Sequence, residues 1–297
     1  MSSSDLTGVD DLTGSLPISV YVSFLFLFSV LMICYVLLLP IFEYTRKANE
    51  EQDKKDKLYP TVKHFFWMVR TSYYFFIALI VVLFLQYPPL RNIIFYSLFI
   101  IDQTFELLLF SIALEKCLCT FFPKLEPYFT SARNSLLDKI WALYIVHVIK
   151  ELSILVVVRR TVGNGKAKDT VGYVHGIILS CMALFSMLSA LMHFPIMKKM
   201  RKLAYLDSTQ LNTLYTYIFW LTITVVVFKL IYILLFTIIF ILFLPQFSIQ
   251  LLVYIIAIIG GLTTPIIIES VYIVCNIDKI YNINGRKIRE FLKLYLK

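Results

Sequence analysis

The chain has little with which to face water. Only 16% of its 297 residues are charged and 59% are hydrophobic, whereas a soluble domain carries about 25% and about 45–50%. Mean hydropathy is +0.79. That balance excludes an ordinary soluble globular enzyme. Nine glycines and ten prolines are too few for a low-complexity or fibrous chain, and the long apolar runs exclude a disordered one. The five cysteines, Cys34, Cys117, Cys119, Cys181 and Cys275, form no paired CxxC. None falls in a segment expected outside the cell, so neither a disulfide framework nor a zinc site is expected. GxSxG, P-loop, HExxH and GxGxxG motifs are all missing, and so is any Asn-x-Ser/Thr sequon. The four histidines (His64, His147, His175 and His193) are scattered over different segments and make no histidine box. The last apolar run has no lysine, which argues against a retinal Schiff base there. No enzyme activity, cofactor or metal is expected.

What is present is seven apolar runs, at about 17–42, 65–87, 92–119, 139–158, 172–197, 212–244 and 248–275. A bilayer core of about 30 Å needs about 20 such residues per spanning helix. The reading is an all-α membrane protein, a seven-helix transmembrane bundle. Residues 1–16 form a polar segment without Lys or Arg, 17–275 the bundle, and 276–297 a basic tail that could lie on the inner leaflet as an interfacial helix. No inverted repeat is evident.

Charge sets the orientation. Lys and Arg number twenty in alternate segments and the tail, against five on the opposite side. The positive-inside rule then puts the N-terminus outside and the tail in the cytoplasm. A net charge of +9 distributed in this way reads as topology, not as a nucleic-acid groove.

Ionisable residues inside the runs are costly, about 2.5–3.5 kcal/mol each on insertion scales, and are functional candidates for that reason. Asp102 and Glu106 lie four residues apart on one face of the third run. Either they contact a ligand or ion within the bundle, or they pair with a basic residue of a neighbouring helix. Lys229 in the sixth run is the obvious cation. His147, Lys150 and Glu151 cluster in the fourth run, where internal pairing is the simpler reading. Arg70 and Glu269 can each snorkel to the interface, or pair with one another as a lock if the second and seventh helices touch. Pro40, Pro195 and Pro265 favour kinks, with Gly260-Gly261 just before the last of them. Cys275, beside the basic tail, is a candidate for palmitoylation.

Three stretches carry a resemblance. One is Leu38-Leu39-Pro40-Ile41-Phe42, then Lys47-Ala48-Asn49-Glu50-Glu51-Gln52-Asp53-Lys54-Lys55, Tyr59-Pro60 and His64-Phe65-Phe66. The second is Ser111-Ile112-Ala113-Leu114-Glu115-Lys116-Cys117-Leu118-Cys119-Thr120-Phe121-Phe122-Pro123, and the third Glu269-Ser270-Val271-Tyr272-Ile273-Val274-Cys275-Asn276. Together they resemble the nematode serpentine chemoreceptors, class Z in particular. The resemblance implies a seven-transmembrane G-protein-coupled receptor in a sensory-cell plasma membrane, in a sensory cilium for example. Its partners would be a small-molecule ligand, a heterotrimeric G protein and the lipid bilayer. Glu115-Lys116 would occupy the place of the acid-arginine pair of rhodopsin-like receptors, although lysine lacks arginine's planar fork. Ligand binding is expected at Asp102, Glu106 and Lys229, and G-protein coupling at Glu115, Lys116, Lys198, Lys199 and Arg201. The alternative is an ion-coupled transporter or channel that uses the intramembrane Asp, Glu and Lys residues.

Overall fold

The structure, a computed structural model, describes residues 18–85, 87–161, 164–204, 213–243 and 249–276. These residues are helical throughout apart from short turns. The helices are α1 (Ile18–Asp53), α2 (Tyr59–Leu85), α3 (Pro88–Phe121), α4 (Glu126–Asp138), α5 (Ile140–Thr161), α6 (Asn164–Ala204), α7 (Thr213–Phe243) and α8 (Ile249–Cys275), with a single 3₁₀ turn at Pro123–Leu125. Backbone polar groups have no water to bond inside a bilayer, and a helix satisfies them within its own segment.

Seven of these helices make the bundle expected from the apolar runs. Six are long and apolar enough to cross a membrane. The other is α5, whose 22 residues reach about 33 Å at 1.5 Å per residue. The runs underestimate two helices. α1 continues through the charged stretch to Asp53, for 36 residues, and α6 is a 41-residue helix. Hydropathy stops at the membrane surface, whereas helix propensity does not. Ala-Asn-Glu-Glu-Gln-Asp continues α1 outward without a break.

Turn chemistry ends the helices where the chain must reverse. Asp56 Oδ1 accepts the Leu58 amide at 2.8 Å between α1 and α2. Proline opens α3, where the missing N–H has no helical partner to lose. α4 starts with Glu126 in its first turn, the favourable sign for a helix N-terminus. This short helix was not foreseen, because its apolar content is low.

α3 and α8 form the centre. α3 packs against α2, α5, α6 and α8, while α8 packs against α1, α2, α3, α6 and α7. Aromatic rings fill the end of the bundle near the α1–α2 turn. Tyr272 meets Phe42, Phe66 and Tyr217 edge-on, with ring centres 4.9–5.8 Å apart. The Tyr272 hydroxyl donates to Asp53 Oδ2 at 2.6 Å and so fastens α8 to the end of α1. Trp141, Ile149, Leu191 and Leu234 stand exposed on the outer faces. In a protein whose solvent is lipid, these are ordinary surface residues.

Candidate functional site

The buried charges of α3 and α7 come together. Lys229 Nζ contacts Glu106 Oε1 and lies 3.9 Å from Asp102 Oδ2. Two further helices join them. Ser186 of α6 donates to Glu106 Oε2 at 2.9 Å, and Thr264 of α8 donates to Asp102 Oδ1 at 2.6 Å. Asp102, Glu106 and Lys229 are all buried, Lys229 at 8% exposure. Charged groups in a low-dielectric interior are tolerated when paired and hydrogen-bonded, and here every carboxylate oxygen has a partner or a nearby cation. The Asp102–Glu106–Lys229 grouping expected from sequence is therefore present, within four helices rather than two.

Backbone makes room for it. A Cβ at Gly260 would lie 3.2 Å from Asp102 Oδ2 and 3.3 Å from the Tyr232 hydroxyl. Glycine lets α8 approach the carboxylate that closely. Ser186, Tyr232 and Thr264 were not singled out from the sequence, and Gly260 was noted only for its place before Pro265. Only the Gly-Gly-x-x-x-Pro stretch at Gly260 to Pro265 signalled that something unusual sits on α8.

A second polar cluster lies beside the first, because Gln103 follows Asp102 on α3. Lys150 Nζ donates to Gln103 Oε1 and lies 2.9 Å from Glu151 Oε1, while His175 Nε2 is 2.7 Å from Glu151 Oε2. Glu151 thus pairs with Lys150 and His175 and not with His147. The expected pairing within α5 holds for Lys150 and Glu151, whereas His147 is buried with neither ring nitrogen bonded and takes no part in it. The geometry of α6 decides this, since it brings His175 to Glu151.

Of the two readings of Arg70 and Glu269, the pairing of one with the other is not what the structure shows. Arg70 donates to both oxygens of Glu43 on α1, at 2.7 and 2.9 Å, and Arg46 shares that carboxylate. Glu269 is fully buried and accepts the Tyr73 hydroxyl at 2.9 Å. Arg70 is about half exposed and turns outward, where a charged group keeps its solvation.

At the other end of α3, Glu115 is held by Arg133 of α4. Arg133 Nη1 reaches both Glu115 oxygens, at 2.8 and 3.0 Å, and Nη2 donates to the Lys57 carbonyl at 2.9 Å. One guanidinium therefore ties α3, α4 and the α1–α2 turn together, using the fork geometry that suits arginine. Sequence reasoning counted Arg133 only as a topology charge. Beside it, Lys57 Nζ donates to Glu126 at 3.0 Å, and this bond holds the Glu126 carboxyl below its ordinary value. Lys116 is half-buried. Lys198, Lys199 and Arg201 ride on the last turns of α6, and their side chains lie outside the described residues. Cys275 is half-buried, and all five cysteines are free. The N-terminal segment 1–16 and nearly all of the basic tail also lie outside the described residues.

Long apolar helices, an outer surface suited to lipid and charges clustered within the bundle define a multi-pass helical membrane protein of the seven-helix receptor type. More particularly, the chain belongs to the serpentine type 7TM GPCR chemoreceptor family Srz, whose family model matches residues 25–277. No curated protein and no solved structure matches it.

Proposed function

We propose that this chemoreceptor binds a small polar ligand at Asp102, Glu106 and Lys229 and signals to a heterotrimeric G protein. The observation that carries the reading is the convergence of α3, α6, α7 and α8 on one buried group of charges. A ligand that makes better contacts with these charges in one arrangement of the helices shifts the population toward that arrangement. An anionic or carbonyl group on the ligand would compete with Glu106 for Lys229, and a cationic one would compete with Lys229 for the two acids.

The signalling surface is proposed at Glu115, Lys116, Lys198, Lys199 and Arg201, with the N-terminus outside and these residues in the cytoplasm of a plasma membrane, such as that of a sensory cilium. Glu115 is occupied by Arg133, and on this reading that contact belongs to the uncoupled form. Coupling would require α4 to release it. A groove of about 700 Å³ runs along α4, lined by Lys57, Glu126, Thr130, Asn134 and Lys139, and gives a cytoplasmic partner a polar surface to meet.

The test uses epitope-tagged receptor at the cell surface, a promiscuous Gα reporter and a panel of small polar odorants. Response to a panel member is expected in the wild type and lost in Lys229→Ala and Asp102→Asn at equal surface expression. Unchanged response in both variants would remove these residues from the site. Tags read before and after permeabilisation test the orientation. An N-terminus found inside would overturn it.

A further inference from the structure

Glu43, Arg46 and Arg70 form a trio on the side of the bundle where α1 and α2 face each other. Arg70 gives Nε to Glu43 Oε1 at 2.7 Å and Nη2 to Oε2 at 2.9 Å, while Arg46 gives Nε and Nη2 to Oε2 at 3.0 and 2.9 Å. One carboxylate therefore accepts from two guanidiniums and cannot neutralise both. Arginine has five N–H donors, so each keeps hydrogens for another acceptor, and neither has a second partner among the described residues. The side chains of Arg46 and Glu43 are 18% and 15% exposed, that of Arg70 46%. The uncompensated positive charge is thus held in one place by two helices.

Its height and its neighbours point to what neutralises it. Glu43 is the first charged residue of α1, directly after the apolar run. Trp67, half exposed one turn before Arg70, is the kind of amphipathic ring that favours the membrane–water interface. On α2, Lys63, Arg70, Tyr74, Ile77 and Val81 follow helical spacing down one side, and all five are exposed. Charge lies on the half of this stripe nearer the α1–α2 turn, and the rest of it is apolar apart from the Tyr74 hydroxyl.

A soluble anion would match only the charged half. An anionic phospholipid matches both, for its phosphate suits the guanidinium fork and an acyl chain suits the Tyr74–Ile77–Val81 face. We propose that Glu43, Arg46 and Arg70 form a binding site for an anionic phospholipid of the leaflet at the α1–α2 turn. A phosphodiester brings the single negative charge that two guanidiniums and one carboxylate lack. Glu43 acts as the positioning residue, since it aims both arginines. The bound lipid would join α1 to α2 on the outside, as the Phe42 and Phe66 rings join them in the core. The site requires only that the bundle lies in a bilayer, whatever the receptor signals to.

The experiment measures the apparent melting temperature of the purified full chain in detergent, titrated with dioctanoyl phosphatidylglycerol, dioctanoyl phosphatidylcholine or inorganic phosphate. A saturable rise of roughly 2–5 °C is expected with phosphatidylglycerol, and much less with the other two. Native mass spectrometry should show one phosphatidylglycerol retained in preference to phosphatidylcholine. Arg70→Gln is expected to raise the half-saturating concentration about fivefold, and Arg46→Gln with Arg70→Gln to abolish the preference. Lys124→Gln, an exposed cation on the turn after α3, should leave it unchanged. An equal rise with phosphatidylcholine would mean that the tails alone bind, and an equal rise with inorganic phosphate would mean a soluble anion. Either result would overturn the proposal, and so would a preference that survives the double substitution or falls equally in Lys124→Gln. If the double variant does not fold, Arg70→Gln and the wild-type choice between the two lipids still decide the matter.

Discussion

Removing Arg133 tests the account of the α3–α4 end of the bundle most directly. Arg133 and Glu115 are 7% and 6% exposed in their side chains, so Arg133→Ala leaves a carboxylate buried without a partner. Breaking a buried pair from one side costs about 3–5 kcal/mol. The Lys57 carbonyl also loses its donor, which adds about 1 kcal/mol. At roughly 2–3 °C per kcal/mol for a chain of this size, the apparent melting temperature should fall by roughly 8–18 °C. The assay is thermal unfolding in detergent, followed with a thiol-reactive dye that reports on the five free cysteines. The double variant Glu115→Gln, Arg133→Ala separates the causes. It removes the stranded charge, so it should recover more than half of the loss, and the cycle should give a coupling energy of about 2 kcal/mol or more. If Arg133→Ala melts within about 2 °C of wild type, or the double variant loses the sum of both singles, the pair is not the buried latch that its geometry describes.

Other outcomes follow from the same structure. Gly260→Ala places a methyl group 3.2 Å from Asp102 Oδ2 and should cost about 1–3 kcal/mol by overpacking, read as a lower melting temperature and a weaker response to any active odorant. Tyr272→Phe keeps the ring packing and deletes the 2.6 Å bond to Asp53, so a loss of about 1.5–3 kcal/mol is expected. A variant as stable as wild type would show the bond to be dispensable. Glu126→Gln breaks an ion pair whose side chains are 47% and 71% exposed, and the change should stay within about 0.5 kcal/mol. Because the Lys57 bond lowers the Glu126 pKa, any stabilisation it gives is present above the ordinary carboxylate value and fades as pH falls through the lowered one. A melting series from neutral to acid pH on wild type and Glu126→Gln checks that sign. Acyl-exchange labelling of receptor from cells should give a mass shift that Cys275→Ser removes, if the thiol at the end of α8 is palmitoylated.

The number of bundle helices and the charged residues of the candidate site were legible in the sequence, because an ionisable group inside an apolar run stands out against its surroundings. Asp102, Glu106 and Lys229 were found for that reason. Their partners Ser186 and Thr264 were not, since Ser and Thr are ordinary in membrane helices and commonly bond their own backbone, as Ser111 and Thr222 do here. Which acid meets which base depends on the rotation of each helix about its axis, and periodicity fixes that poorly when nearly every position is apolar. Arg70 and Glu269 illustrate this, for a mutual pair was one of the two readings and each has a different partner. Arg133 shows the converse. A loop arginine looks like a solvated charge until the loop folds as a helix and turns it inward.

The placement of α1 has a consequence for how the chain is assembled. α1 lays its backbone against α8, and the Tyr35 hydroxyl bonds the Leu262 carbonyl across 227 residues of sequence. Helices enter the membrane in order of synthesis. The first must therefore wait in lipid, with Tyr35 and Asn49 lacking their final surroundings, until the last described helix has been made. Any truncation or stall before α8 leaves α1 without its backbone neighbour. Such a chain carries an exposed polar seam in the bilayer, the kind of defect by which quality control can tell an unfinished bundle from a finished one.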